Sequence, residues 1–560
     1  MAKKEWIVTL HRKEDLQDFY TDMETPGGSL YIPDRSVSVR HRRNISRNTH
    51  YMLDFDEALM ILDDPRVASV ELAEILDLFT KPSGWTSSGE VFSKDFFTDV
   101  GDINWGLLRH QLAANISGWG DDATSNVSQD FSVTTGGKNV DVVIVDGHID
   151  PAHPEFAVNS DGTGGTRVVQ YNWLQHTNEV SGGANGTYVY TPYVDPSYPD
   201  TDGNGIADRT EDNNHGCHVA GTVAGNTQGW AREANIYNIS PYSTNQNSIS
   251  SSLMWDYIRA WHNSKPINSA TGRRNPTVTN NSYGTTITLN NGDFGPVTRV
   301  IYRGVDYNPG RSLTLAELQA RGFYATDTSP TVPYWSSARA ADIQDAIDDG
   351  IIIVASAGND SFKTVRSTNQ DYNNFFYATY LGFGATWYLN RGNQSGSAVE
   401  NVINVGATDN GQAEFKATFS NCGDLVDIFA AGVAIQSSLH TSTGATADPR
   451  NGSYYLGKYQ GTSMSGPQVC GVLACLLEHY PGTTQAEAQA WLTQYANVNE
   501  MGDSGTDDPM DRTSLQGAPN LFLRWFNQRS DTGTAYPRTA FKNRPTSGHV
   551  YPRTAIRRRG

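Results

Sequence analysis

Cysteine is scarce in this chain. Only Cys217, Cys422, Cys470 and Cys475 occur among 560 residues, and their spacing fits no zinc motif. Cys470 and Cys475 fall on an expected helix at a separation that points them to different faces. Free thiols and an intracellular site of synthesis are therefore expected. Long apolar runs are missing too, and nothing approaches the ~20 residues that span a bilayer. The opening MAKKEWIVTL has two lysines but no apolar run of ~7–15 residues after them, so it does not read as a secretory signal. A cytoplasmic or virion-associated location is the expectation. Basic charge is in deficit: the net charge of −18 argues against a nucleic-acid partner. No membrane partner is expected either. What the chain has in quantity is glycine, 53 residues, alongside 38% hydrophobic and 11% aromatic content. That suits a soluble protein of two or three domains with many turns.

Residues 1–80 read as a separate unit. Strands are expected at Trp6–Leu10, Tyr31–Arg40, His50–Phe55 and Val67–Leu72, with helices at Lys13–Met23 and Glu57–Leu62. The order βαββαβ is a small α+β sandwich. Residues 81–130 are rich in Ser, Gly, Asp and Asn and read as a linker and processing region. From there to residue 528, short apolar strands alternate with helical segments, the signature of an α/β domain on a parallel sheet. Its clearest strands are Asp141–Val145, Ile351–Ala355 and Val402–Val405. Segments 179–212, 285–335, 362–398 and 440–458 read as long loop-like insertions. Residues 529–560 carry eight Lys/Arg against one Asp, and the phrase YPRTA occurs twice. They form a low-complexity basic tail, either a solvated end or a docking segment for an acidic partner.

Three local patterns carry chemistry. The run VVIVD ends an apolar strand in Asp146, at the sheet edge where open α/β folds bind ligands. NNHGCHVAG, Asn213–Gly221, brackets small residues with His215 and His218. That spacing is compatible with packed histidines or a metal pair, though no HExxH-type carboxylate accompanies it. YQGTSMSGPQVCG, Tyr459–Gly471, places Ser463 at the start of an apolar helix, with Pro467 expected in its first turn. Backbone N–H groups and the helix dipole favour negative charge there, but a serine becomes a nucleophile only with a base to take its proton.

Together these motifs resemble the subtilase family. The order Asp, His, Ser is that of subtilases. GTSMSGP is close to the family's GTSMAxP, and HGCHVAGT differs at one position from HGTHVAGT. IIIVASAGND, Ile351–Asp360, resembles the segment bearing the oxyanion-hole asparagine, here Asn359. NNSYG, Asn280–Gly284, resembles the edge that lines the substrate cleft, here Ser282, Tyr283 and Gly284. The resemblance implies a subtilisin-like doubly wound parallel sheet and an endopeptidase in which Asp146, His215 and Ser463 form a triad. It also implies an acyl-enzyme and protein or peptide substrates. Departures are Cys217 for Thr, Gln468 for His and Ala431 for Pro. Cys217 is expected near the cleft, where a mercurial would block it. Residues 1–80 resemble subtilase propeptides, which implies an intramolecular inhibitor removed by cleavage between Leu76 and Asn104. NWGLLRHQ, Asn104–Gln111, resembles segments near the start of mature subtilases.

One further pattern stands before the histidine motif. DTDGNGIADRTE puts Asp200, Asp202, Asn204, Asp208 and Glu211 at loop positions 1, 3, 5, 9 and 12, with Gly205 at position 6 and the Ile206 carbonyl at position 7. That is the oxygen set of a calcium loop, and a structural Ca2+ is expected. The competing reading is a catalytically silent subtilase fold serving a structural or binding role, for example in a virion. A calcium-dependent binding module explains residues 200–211 alone. A lipase or esterase would need GxSxG and the order Ser, Asp, His, and neither is present.

Overall fold

The computed structural model describes residues 3–32, 37–72, 104–110, 135–182, 214–240 and 249–525, apart from residues 250, 252, 292, 381, 394–398, 412 and 441–444. Near the N-terminus, β1 (Lys4–Leu10), α1 (Leu16–Glu24), β2 (Ser38–His41), β3 (Asn48–Leu53), α2 (Phe55–Leu62) and β4 (Val67–Leu72) follow in that order. Their sheet has the order β2-β3-β1-β4 and is antiparallel. Alternation decides what each face meets. Val8, Leu10, Tyr51 and Leu53 pack under Phe19 and Met23 of α1 and Ile61 of α2. Asp54 and Glu57 close a reciprocal capping box that starts α2. Of the run Tyr31–Arg40 expected as a strand, Ser38–Arg40 lies in β2, and residues 33–36 fall outside the described residues.

The main sheet is built from β5 (Asp141–Val145), β6 (Val168–Val169), β7 (Asn235–Ile239), β8 (Thr277–Asn281), β9 (Ile352–Ser356), β10 (Ile403–Thr408), β11 (Ile428–Ala431), and two short strands, Asn497–Val498 and Leu521–Phe522. Its order runs Asn497–Val498, Leu521–Phe522, β11, β10, β9, β8, β5, β7, β6, and all pairs but the first are parallel. Both faces of β5 are buried. Val142 and Ile144 enter the core shared with α3 (His215–Ala224) and α6 (Thr462–His479). Val143 and Val145 enter the opposite core with α4 (Met254–Ser264) and α5 (Ser337–Asp348). Helices on both faces of a mostly parallel sheet make this a doubly wound α/β fold.

Three expected loops are strand-bearing. Segments 285–335 and 362–398 supply Arg299–Tyr302, Val305–Tyr307, Phe375–Tyr380 and Phe383–Tyr388, a four-stranded antiparallel sheet with its own core around Phe294, Phe323 and Phe376. Segment 440–458 contributes most of a strand, Asn451–Tyr459, paired with Ile435–Leu439. The aromatic and β-branched content of these runs outweighs their Gly and Asn. Among the described residues no helix is long and apolar enough to cross a membrane.

Candidate active site

Asp146 follows β5 directly, where the strand leaves the sheet at its C-terminal edge. Its buried Oδ1 accepts the Gly147 N–H at 2.8 Å and lies 2.7 Å from Nδ1 of His215. His215 is the first residue of α3. The preceding Asn214 takes φ 64°, a conformation asparagine tolerates, and its side-chain oxygen accepts the His440 N–H at 2.8 Å. The next position has to be glycine. A Cβ on Gly216 would stand 2.4 Å from the Gly147 carbonyl oxygen, so this small residue lets α3 approach the turn that carries Asp146.

His218, one turn on, serves the core. Its ring stacks on Tyr459 at 4.6 Å, and Nε2 donates to the carbonyls of Ile435 and Gly457 at 2.8 and 3.2 Å. Burial pushes its pKa down to about 3, so it is neutral. Its Nε2 is committed to these two core carbonyls, while His215 Nδ1 meets Asp146, so the two rings serve different partners.

Ser463 sits in the first turn of α6. Gly461, with φ 150°, turns the chain into the helix. The Ser463 hydroxyl donates to the Ser282 carbonyl at 3.2 Å. Pro467 was expected in the first turn, but the helix starts earlier and Pro467 lies in its interior. The missing proline N–H would have bonded the carbonyl of Ser463, four residues back. Ser282 takes its place: its Oγ donates to that carbonyl at 3.1 Å and accepts Nδ2 of Asn280 at 2.8 Å. Ser282 and Tyr283, which follow β8, are both buried.

Asn359 follows β9. Its side-chain oxygen accepts both the backbone N–H and the hydroxyl of Thr462, each at 2.8 Å. The same hydroxyl accepts the Gly358 N–H at 3.2 Å. With Oδ1 so occupied, the Nδ2 donor has no protein acceptor among the described residues. Thr462 was missed in the sequence, although it is the T of GTSMSGP.

Residues 104–110 also went unread as part of the core. Trp105 and Arg109 are fully buried, and Arg109 forms a two-point ion pair with Glu414 at 2.5 and 2.7 Å. Two family departures are explained here. The buried Gln468 side chain accepts Nε1 of Trp230 at 2.7 Å and donates to Asn104 at 2.9 Å. Ala431, unlike a proline, has an N–H, which His110 Nε2 accepts at 3.3 Å while Nδ1 donates to the Leu523 carbonyl at 3.0 Å. Cys217 corrects an expectation. It is wholly buried against the sheet instead of lining the cleft, so a mercurial would have to open the core to reach it. All four cysteines are free thiols. The calcium-loop residues Asp200, Asp202, Asn204, Ile206, Asp208 and Glu211 lie outside the described residues, as does the basic tail.

Residues 137–520 match the family model described as Peptidase_S8, subtilase family. The chain belongs to the subtilase family. This subtilase is 25% identical over 517 residues to an alkaline proteinase of Hapsidospora chrysogena, covering 91% of each chain. It is 26% identical over 299 residues to an extracellular serine proteinase of Thermus sp. Rt41A, covering 53% of this chain and 49% of that one. The alignment thus spans about half the length of the Thermus relative. Among solved structures, fervidolysin from Fervidobacterium pennivorans aligns at 18% identity and a TM-score of 0.46, over 92% of this chain and 60% of that one. The subtilase fold places Asp146 and the starts of α3 and α6 along one edge of the sheet, and α3 packs against α6.

Proposed function

We propose that this subtilase is a serine endopeptidase using Asp146, His215 and Ser463, and that residues 1–80 are its intramolecular inhibitor. The observation carrying the first part is the 2.7 Å contact between Asp146 Oδ1 and His215 Nδ1, at the helix end packed beside the one bearing Ser463. In this reading the Ser463 hydroxyl leaves the Ser282 carbonyl and gives its proton to His215 Nε2 as Oγ attacks the peptide carbonyl. Asp146 holds Nδ1–H and stabilises the imidazolium. The Ser463 N–H and Asn359 Nδ2 receive the developing oxyanion. His215 then protonates the leaving amine, and water repeats the sequence to release the acyl group. Backbone of residues 282–284 pairs with an extended substrate. The oxygen donors of Asp200–Glu211 suit a hard cation such as Ca2+, which would order the chain leading into His215. No step passes through that ion.

The second part is supported by how the N-terminal sheet meets α4 and α5. Arg43 is buried between Asp256 and Asp342, at 2.7 and 2.9 Å. Glu71 accepts the Ser336 hydroxyl at 2.7 Å and the Ser337 N–H at 3.0 Å, so it caps α5. The burial of residues 104–110 in the main core supports cleavage before Asn104, between Leu76 and Asn104. The test is the intact mass of wild type and Ser463→Ala purified in calcium. The proposal expects the wild type to lose an N-terminal fragment ending in that interval while the variant stays whole. If both stay whole, self-cleavage is wrong, and failure of a fluorophosphonate to label Ser463 would remove the peptidase assignment as well.

A further inference from the structure

The N-terminal sheet has a second face, opposite the one covered by α1 and α2. Register assigns three potential ligands to it. His50 of β3 stands opposite Ile7 of β1, and Glu5 stands opposite Met52, so Glu5 and His50 are diagonal neighbours on one face. His41 of β2 stands directly opposite His50, after a bulge between Val39 and His41. Three adjacent strands therefore present two imidazoles and a carboxylate together. His50 Nδ1 is 2.9 Å and His41 Nε2 is 3.8 Å from the same oxygen, Oε1 of Glu5. One ligand atom from each of the three lies within 4.8 Å of the others. The two rings meet edge to face at 5.1 Å. His50 is buried while Glu5 and His41 are partly exposed, which gives an ion both a firm seat and a way in. The nearby cation, Arg40, pairs at 3.4 Å with the other oxygen, Oε2, and leaves Oε1 facing the histidines.

We propose that Glu5, His41 and His50 bind one divalent ion of the zinc class, with a fourth position open to water. Two imidazoles and a carboxylate are borderline ligands, suited to Zn2+ or Co2+ and poorly suited to Ca2+ or Mg2+. Tetrahedral Zn2+ with bonds of ~2.0–2.1 Å separates neighbouring ligand atoms by ~3.3 Å. The observed 2.9 and 3.8 Å to Glu5 bracket that spacing, and all three ligand atoms lie within 4.8 Å of one another, so side-chain adjustment alone can bring them onto one ion. On binding through Nδ1, the His50 ring carries its single hydrogen on Nε2, so the imidazole stays neutral and Glu5 supplies the negative charge. The ion ties β1, β2 and β3 together on the face that meets α5, where Asn48, two residues from His50, donates to the Ala338 carbonyl and to Asp342 at 2.9 Å each. Slower departure of the N-terminal unit in zinc follows only if that unit is an inhibitor. The binding itself does not depend on that reading.

The experiment uses the full chain carrying Ser463→Ala, stripped of metal by a chelator and returned to saturating Ca2+. Co2+ is titrated in, followed by displacement with Zn2+, against Glu5→Gln, His41→Ala and His41→Gln in the same background. Circular dichroism establishes that each variant is folded. The expected result is one equivalent of Co2+ with the intense visible absorption of a tetrahedral site, displaced by Zn2+, and affinity weakened ~10-fold or more in each folded variant. Absence of such a band in the parent, or equal affinity in the parent and a folded variant, would overturn the site.

Discussion

Asn359 shows how a single amide is aimed. Its oxygen is held by Thr462 through two hydrogen bonds, so the opposite end of the planar amide is the donor. Asn359→Ala is expected to lower kcat ~10²–10³-fold with little change in KM, because an oxyanion donor acts on the transition state more than on bound substrate. Steady-state kinetics on a peptide anilide would show this, and a loss confined to KM would contradict it. Buried imidazoles set a second residue-scale expectation. Burial pushes His110 and His218 down to a pKa of about 3 each. An unfolded histidine titrates near ~6.5, so between those values the unfolded chain binds more protons and stability falls as pH falls. Each histidine contributes a slope of ~1.4 kcal/mol per pH unit in that window and nothing above it. His110→Gln should flatten the stability–pH curve of the Ser463→Ala chain below about pH 6. Urea midpoints across pH 4–7.5 measure it, and an unchanged slope would show that His110 is not neutral. The candidate residues at this scale could be picked out in sequence because Asp146, His215, Ser463 and Asn359 each stand inside short strings of distinctive small residues. Cys217 misled because its position in the string tells how near it is to His215, not which side of α3 it faces.

At the scale of elements, α6 keeps a proline in its interior, and its neighbour β8 compensates. Pro467 has no N–H for the Ser463 carbonyl, and Ser282 Oγ, just past the end of β8, supplies the donor at 3.1 Å. Ser282→Ala should therefore leave a buried carbonyl unpaired and cost ~1–3 kcal/mol. Pro467→Ala restores the helical N–H, so in that background the same Ser282→Ala change should cost less than ~1 kcal/mol. A double-mutant cycle on unfolding free energies reads the coupling, and additive losses would show that the two devices do not substitute for each other. The same element marks a limit of sequence reading. Proline at a helix start is so favoured that Pro467 suggests a start, while the true start is fixed by Gly461 and by Thr462, which bonds to a residue over a hundred positions away. The insertion strands Phe375–Tyr380 and Phe383–Tyr388 pair with each other across a short turn, and only the first also pairs with the distant Arg299–Tyr302; the run FFYATY shows no polar–apolar alternation by which to read it as a strand.

Across the whole molecule, the contacts hardest to foresee join residues hundreds of positions apart. Nothing local in NWGLLRHQ tells that Arg109 meets Glu414, or in RHRRN that Arg43 is the arginine that disappears between α4 and α5. Yet Arg43 is where the N-terminal sheet is committed to the rest of the chain. Its guanidinium satisfies Asp256 and Asp342, while Ser46 and Asn48 donate to Asp342 at 2.7 and 2.9 Å. Removing one partner of a buried ion pair strands the other charges, at a cost of ~3–5 kcal/mol. Asp342 retains two neutral donors, so Asp256 is the group left most exposed to that penalty. In the uncleaved Ser463→Ala chain, Arg43→Ala should loosen the sheet from α4 and α5 without unfolding the catalytic core. Limited proteolysis should then cut the N-terminal unit sooner, while hydrogen exchange in β5, β9 and β10 stays slow. Arg43→Ala combined with Asp256→Asn should recover part of the lost protection, because the stranded charge is gone. If protection is instead lost equally in the N-terminal sheet and in the core strands, the two parts open as one cooperative body, and Arg43 is a core residue rather than a latch between them.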